Sequence, residues 1–403
     1  MTAHVPMSNR AGIRPEAAGM PESGIVEVAN YGRGREGLIP LWIGEGRRPT
    51  PAFIADAATR ALAAGETFYT WQRGIPELRE AIARYTGRLF GRPFDPERFY
   101  VTIGGMHALQ MAMRIVSGTG DEVIVPTPAW PNFEAAIEVN GARAVALPMT
   151  PGPDGWNLDL GRLEAAVTPR TRAIVINSPS NPTGWTASRD DLERILRLAR
   201  RHGLWIIADE IYQRFVYDPL PGAGEGRTPS FHDVMAEDDR ILFLQTFSKN
   251  WAMTGWRLGW LEAPAELGPV IENLVQYTTS GVPAFLQRAA VVALEEGESL
   301  VEEHIALARR NRDIVCEGLR ATNVVELPSP PGAFYAFFSV DGVTDTRQLA
   351  LDLIDHANVG LAPGTAFGAG GSAHLRLCFL RDTALVEEAI GRLALALPKL
   401  ARR

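Results

Sequence analysis

Between Phe99 and Leu261, apolar runs of strand length alternate with stretches of helical period, and no other feature restricts the fold of this chain as much. The runs are RFYVTIG, DEVIVP, residues 143–147, residues 172–177, LWIIADEIY, ILFLQTF and WRLGWLEA. Residues 106–116, a short stretch around 158–167 and residues 189–202 read as helices between them. Strand–helix–strand crossovers of this kind join parallel strands, so an α/β fold is expected, with a mainly parallel sheet covered on both faces. The site of such a fold lies in the loops at the carboxyl ends of its strands.

Flanking segments follow other patterns. Pro49 and Pro51 precede a helix over 52–64, and Ile75, Leu78, Ile82, Tyr85 and Leu89 recur at helical spacing after a turn at Gly74. Beyond Pro283 come long helices over 284–294 and 300–319. Short strands near Val324, 334–338, Val359 and Leu375 complete a smaller α+β domain. At 403 residues the chain exceeds one ordinary core, so two domains are expected. Residues 1–45 form an N-terminal arm and part of the small domain, 46–285 the large domain and 286–403 the small C-terminal domain. Residues 221–230, PGAGEGRTPS, read as a flexible surface loop.

Composition excludes several function classes. A net charge of -7 without a long basic run argues against nucleic acid, and no apolar run reaches the roughly 20 residues that span a bilayer. A soluble protein with small-molecule partners is expected. Only Cys316 and Cys378 occur, with no metal-ligand spacing around them, which fits buried fillers in a reducing compartment. The first 20 residues lack a secretory core and read as a partly disordered arm, so cytoplasmic location is the default.

The chemistry concentrates at strand ends. In QTFSKNWAMTGWRLGW, Lys249 stands between the hydroxyls of Thr246 and Ser248 and the guanidinium of Arg257, donors of the kind that hold phosphate. A lysine beside a phosphate pocket suits a phosphorylated aldehyde, which a primary amine joins as a Schiff base. The first strand runs through Gly104 and Gly105 into a helix, where free N–H groups accept an anion. Pro128 and Pro131 fix Trp130 as a stacking face. A turn-rich loop, INSPSNPTG, carries Asn181. Asp209 follows four apolar residues and would be buried, which calls for a cationic partner. Arg376 lies in an apolar strand, where its planar fork suits a carboxylate. Taken singly, each has a structural reading too: a solvated lysine, a core tryptophan, an Asx turn, a capping aspartate, an ion-paired arginine.

In order and spacing these motifs resemble those of the class I/II pyridoxal-phosphate-dependent aminotransferases, the fold-type-I enzymes of the aspartate aminotransferase superfamily, over almost the whole chain. The lysine stretch matches S-x-S-K-x-x-x-x-x-G-x-R-x-G, with Thr246 replacing the first serine and keeping its hydroxyl. The resemblance implies a seven-stranded sheet sandwiched by helices, and pyridoxal 5'-phosphate held on Lys249. It assigns the phosphate to Gly105, Met106, Thr246, Ser248 and Arg257, with Tyr69 reaching the phosphate of the neighbouring subunit. Trp130 covers the ring, Asp209 keeps the ring nitrogen protonated, and Asn181 and Tyr212 reach the phenolic oxygen. Gly44, Asn181 and Arg376 meet the substrate carboxylate, and the freed Lys249 amine is the general base. A homodimer with shared sites acting on an amino acid and a 2-oxo acid, by a ping-pong route, follows from the resemblance.

Where many relatives carry P-D after G-E, this chain has Gly46 and Arg47 followed by Arg48, which leaves the substrate loop open. Met106 stands where some aspartate-specific relatives place a lysine. With Trp71 and Trp130 expected near it, apolar or aromatic substrates are favoured, while Arg33, Arg47 and Arg48 keep an acidic one open. A lyase or synthase of the same fold is the alternative. A non-enzymatic regulator is a weaker one, because residues 1–40 lack paired helices for DNA. A nicotinamide dehydrogenase is disfavoured, since no G-x-G-x-x-G follows an early strand.

Overall fold

The computed structural model describes residues 12–401. Its centre is a seven-stranded sheet: β1 Phe99–Thr102, β2 Glu122–Thr127, β3 Arg143–Pro148, β4 Thr171–Asn177, β5 Trp205–Asp209, β6 Ile241–Thr246 and β7 Gly259–Glu262. The order is β1-β7-β6-β5-β4-β2-β3, parallel from β6 through β3, with β7 antiparallel to both its neighbours. The expected mainly parallel sheet is therefore present. Its strands are apolar on both faces because helices cover both. Helix Arg189–His202 shows how: its first turn is closed by a capping box between Ser188 and Asp191, and Gly203 in the left-handed region ends it. It buries Leu192, Ile195, Leu196, Leu198 and Ala199, each contributing roughly 1.5–3 kcal/mol where a large side chain is fully removed from water.

Register brings the site residues together. Asn177 and Asp209 are direct partners at the ends of β4 and β5, and Asp209 faces Leu244 of β6, two residues before that strand ends. Side chains arriving from three crossovers thus open on one edge of the sheet.

A second sheet has four antiparallel strands, Val325–Glu326, Tyr335–Val340, His374–Cys378 and Ala362–Pro363, in that spatial order. Near the start of the chain, Ile39–Pro40 pairs in parallel with Val359–Gly360, so the N-terminal segment is bound to the C-terminal unit. Helix Ala284–Glu296 packs instead on Ala52–Ala63 and Pro76–Phe90, beside the large sheet. Among the described residues no helix is long and apolar enough to cross a membrane. Cys316 and Cys378 are buried and unbridged.

Three details differ from the sequence reading. A hairpin, Thr150–Gly152 with Gly155–Asn157, precedes the helix expected over 158–167. That helix is shortened to Leu160–Ala165, because the Asp159 side chain caps Gly161 and Arg162 and fixes its start. The stretch 221–230 is a surface loop only in its first half. Arg227 is buried, forks onto Asp233 at 2.6 and 2.8 Å and lies over the ring of Phe90 at 4.1 Å. Ser230 donates to Glu210 at 2.6 Å, so residues 227–230 belong to the interior. The N-terminal arm is described from residue 12 and carries helices Pro15–Ala18 and Gly24–Tyr31; residues 1–11 lie outside the described residues.

Candidate active site

A cavity of about 280 Å³ lies over the carboxyl ends of β4, β5 and β6, between the large sheet and the small one. Of the residues singled out from sequence, Gly44, Gly105, Met106, Trp130, Asn181, Asp209, Tyr212, Thr246, Ser248, Lys249, Arg257 and Arg376 all line it. Tyr69 does not.

Lys249 sits in the short helix Phe247–Asn250 that follows β6, and its Nζ donates to the Gly44 carbonyl at 2.7 Å. Removal from water disfavours the charged ammonium, so its pKa falls from 10.5 to about 8. Gly44 is obligatory there. A Cβ on it would stand 2.1 Å from the Tyr335 hydroxyl.

The glycine turn before helix Gly104–Val116 faces the same space. Gly104 has φ +70°, and a Cβ on it would come within 2.5 Å of Arg257 Nη2, so the guanidinium packs directly against the turn. Thr246 and Ser248 hydroxyls lie 2.9 Å apart beside it, and Arg257 is held by a bond from Nη1 to the Thr254 carbonyl at 2.7 Å. Free helix N–H groups, two hydroxyls and a guanidinium make an anion cradle of phosphate type.

Asp209 ends β5 fully enclosed and accepts one backbone bond, from Ile211 at 3.3 Å. Burial pushes its carboxyl up from 3.8 to about 7. Between those values the folded chain keeps a proton that the unfolded chain has released, so stability is lost as pH rises through that window. Asp209→Asn is therefore expected to raise the melting temperature of the cofactor-free protein by a few degrees above about pH 7, with the gap closing near pH 4. Thermal scans of both proteins across this range check it; equal curves at all pH values would contradict it.

Arg376 is buried in strand His374–Cys378 and clamped between the rings of Tyr335 and Phe367, 4.7 and 4.8 Å from their centres. One Nη donates to Asn181 Oδ1 at 2.8 Å and the other to the Trp42 carbonyl. Its Nε has no hydrogen-bond partner among the described residues. Because Asn181 turns its oxygen to Arg376, its amide nitrogen is left for another acceptor. Asn177 holds this loop, accepting from Asn181 N–H at 2.8 Å and donating to the Asp209 carbonyl at 3.1 Å. The Tyr212 and Tyr335 hydroxyls are 2.8 Å apart, and burial raises both pKa values.

Seven lining residues escaped the sequence reading: Ile25, Trp42, Ile43, Asn177, Ile211, Leu244 and Tyr335. Asn177 opens the turn-rich loop already singled out, and its place at the end of an apolar strand was the available signal. Ile211 and Leu244 are apolar neighbours of Asp209 and Lys249 with no signal of their own, and Ile25, Trp42, Ile43 and Tyr335 come from other parts of the chain and carry no local motif. Two expectations need correction. Trp71 does not line the cavity and is 64% exposed. Neither Arg33, Arg47 nor Arg48 lines it either; Arg33 bonds Asn30 at 2.7 Å and Arg48 pairs with Glu303 at 3.0 Å, so both are engaged at the surface.

A parallel sheet that presents one desolvated amine, an anion cradle and a carboxylate-binding fork in a single cavity has the organisation of a fold-type-I enzyme. Residues 36–393 match the family model for aminotransferase class I and II. An arginine–pyruvate transaminase of Pseudomonas aeruginosa is 35% identical over 374 residues, covering 93% of each chain. An aspartate/prephenate aminotransferase of Thermus thermophilus is 34% identical, over 89% of this chain and 90% of its own. The solved aspartate aminotransferase of Thermus thermophilus with maleate superposes with a TM-score of 0.86 at 33% identity, over 96% of this chain and all of the other. The chain belongs to the class I and II aminotransferases and is a transaminase, an enzyme that moves an amino group between an amino acid and a 2-oxo acid.

Proposed function

We propose that this transaminase uses pyridoxal 5'-phosphate on Lys249 and takes its amino group from an L-amino acid with an apolar or aromatic side chain, by a ping-pong route. The observation that carries the reading is one cavity joining the desolvated Lys249 amine to the Arg376–Asn181 pair and to Asp209, a buried acid with no cation bonded to it among the described residues.

The residues fit the cofactor. Gly105 and Met106 N–H groups, Thr246, Ser248 and Arg257 would hold the phosphate, Trp130 a ring face, Asp209 the ring nitrogen, and Asn181 with Tyr212 the phenolic oxygen. When bound, pyridoxal phosphate supplies an aldehyde for the amine and a cationic ring that draws electrons from the substrate α-carbon. Asp209, as a carboxylate beside that cation, recovers the charge that burial alone denies it. Arg376 and Asn181 orient the substrate carboxylate, which aims the α-hydrogen at Lys249. With a pKa near 8, Lys249 Nζ is part-deprotonated at neutral pH and can take that proton from the α-carbon of the donor and, in the return half-reaction, supply one to the α-carbon of the new amino acid.

Substrate class follows from the remaining wall. Ile25, Trp42, Ile43, Met106, Trp130 and Tyr335 face the cavity, and its cations among the described residues are Lys249, Arg257 and Arg376. All three have roles above, so no lining cation is left for a side-chain carboxylate. A panel of amino donors with 2-oxoglutarate is expected to give fastest turnover with phenylalanine- or leucine-like donors. Strong preference for aspartate would overturn the side-chain reading, and ammonia or an eliminated fragment without 2-oxo acid would favour a lyase.

The same reading includes a homodimer with shared sites. Tyr69 is 92% exposed and outside its own cavity, beside exposed Phe68 and near exposed Trp71, aromatic side chains that a second copy would cover. Tyr69→Phe subunits mixed with Lys249→Ala subunits are expected to regain activity above either parent, because one site per heterodimer has both native residues. Activity no higher than the parents would mean that each site is built within one chain. Pairing of Ile39–Pro40 with Val359–Gly360 supports grouping residues 1–45 with the small domain, and the packing of Ala284–Glu296 supports moving the second boundary from 285 to about residue 297. Two buried, unbridged cysteines support a cytoplasmic location.

A further inference from the structure

Residues 40–45 form a strap along the cavity, and four of its carbonyl oxygens accept from cations. Trp42 accepts from Arg376, and Gly44 from Lys249 at 2.7 Å. Pro40 and Ile43 accept from Nη2 of one further arginine, Arg381, at 3.4 and 3.1 Å. Arg381 does not line the cavity, is 4% exposed, and has no carboxylate within ion-pair distance among the described residues. Its Nε and Nη1 have no partner there either. A guanidinium buried without an acid is unfavourable for folding.

The strap explains its use. Leu41 is pinned on both sides, its N–H to the Gly360 carbonyl at 2.8 Å and its carbonyl to Cys378 N–H at 2.9 Å. After Leu41 the strap leaves strand pairing and bends, and Ile43 is tied by Arg381 and by Glu45 N–H at 3.0 Å within the bend itself. The tie is firmly based. Arg381 N–H bonds the Phe379 carbonyl at 2.8 Å, and Asn311 of helix Glu298–Arg320 donates to the carbonyls of both Phe379 and Arg381, at 2.9 and 2.6 Å. Little slack is available at Gly44, which already touches Tyr335 so closely that a Cβ cannot fit.

We propose that Arg381 is a positioning residue for the transamination: by holding the Pro40 and Ile43 carbonyls it sets the strap that presents Trp42 to Arg376 and Gly44 to Lys249, and so governs binding of the substrate carboxylate. The proposal rests on the aminotransferase reading above. A displacement of the order of 1 Å at such a site is enough for about a hundredfold loss, and Arg381 acts on it without touching substrate.

The test compares wild-type, Arg381→Met and Arg381→Lys holoenzymes by steady-state kinetics across pH, with borohydride labelling of Lys249 as a control. Arg381→Met is expected to label normally, to raise KM for the amino donor at least about tenfold with a smaller change in kcat, and to move the acid limb of kcat to higher pH as the freed Lys249 amine gains water. Arg381→Lys, which keeps a donor for Ile43, is expected to fall between the two. Wild-type KM and pH profile in a folded Arg381→Met enzyme, whatever its melting temperature, would overturn the proposal. Should the Met variant not fold, a raised KM in Arg381→Lys supports it and a wild-type KM and profile overturns it. Absence of label in the wild-type enzyme would instead remove the aminotransferase reading and this proposal with it.

Discussion

Lys249→Ala is expected to lower amino-group transfer on the order of 10⁴-fold or more, since general-base catalysis alone contributes about 10²–10⁴-fold and covalent attachment is lost as well. The fold should survive. Among the described residues Lys249 makes one hydrogen bond, to Gly44, and its burial as a charged group is unfavourable, which its lowered pKa of about 8 reflects. The check is single-turnover conversion of amino acid to 2-oxo acid together with a thermal scan. A stable variant with more than about a tenth of wild-type turnover would exclude Lys249 as the base.

Arg376→Ala is expected to lower kcat/KM for the amino donor by about 10²–10⁴-fold, because two charge-assisted bonds of roughly 1.5–3 kcal/mol each are lost to the substrate carboxylate. Most of the change should appear in KM. Arg376→Lys keeps the charge but not the planar fork clamped by Tyr335 and Phe367, and should still lose about tenfold or more. Amines lacking the carboxylate provide the control, since their slow turnover should respond little to either substitution. Equal losses for donors with and without a carboxylate would place Arg376 in the scaffold.

The large sheet was legible in the sequence because each strand is an apolar run bounded by turn residues, and because parallel crossovers force the reactive loops to one edge. Asp209 and Lys249 stood out for the same reason: a charged group at the end of an apolar strand is unfavourable unless the site uses it. Tyr335 and Trp42 did not stand out. Nothing local separates Tyr335 from the aromatic core around it, and its approach to Gly44 and Tyr212 depends on how the two sheets meet. The contribution of Trp42 is a backbone carbonyl, which any residue would supply. Residues 227–230 were misread because their glycine- and proline-rich neighbourhood resembles solvent-exposed loop, whereas Arg227 is fixed by Asp233 and Phe90, neither adjacent in sequence. Arg381 was silent for a related reason, since its carbonyl partners lie more than 300 residues earlier in the chain.

The chain carries only two lysines, Lys249 and the exposed Lys399 on helix Thr383–Leu400, so attachment of the cofactor can be located without ambiguity. Protein incubated with pyridoxal phosphate, reduced with borohydride and digested should carry the pyridoxyl group on the peptide containing Lys249, at one group per chain, with its absorbance band bleached by the reduction. The same treatment of Lys249→Ala should leave no stoichiometric label. Label on Lys399 alone, or a reducible band that persists in Lys249→Ala, would contradict the account.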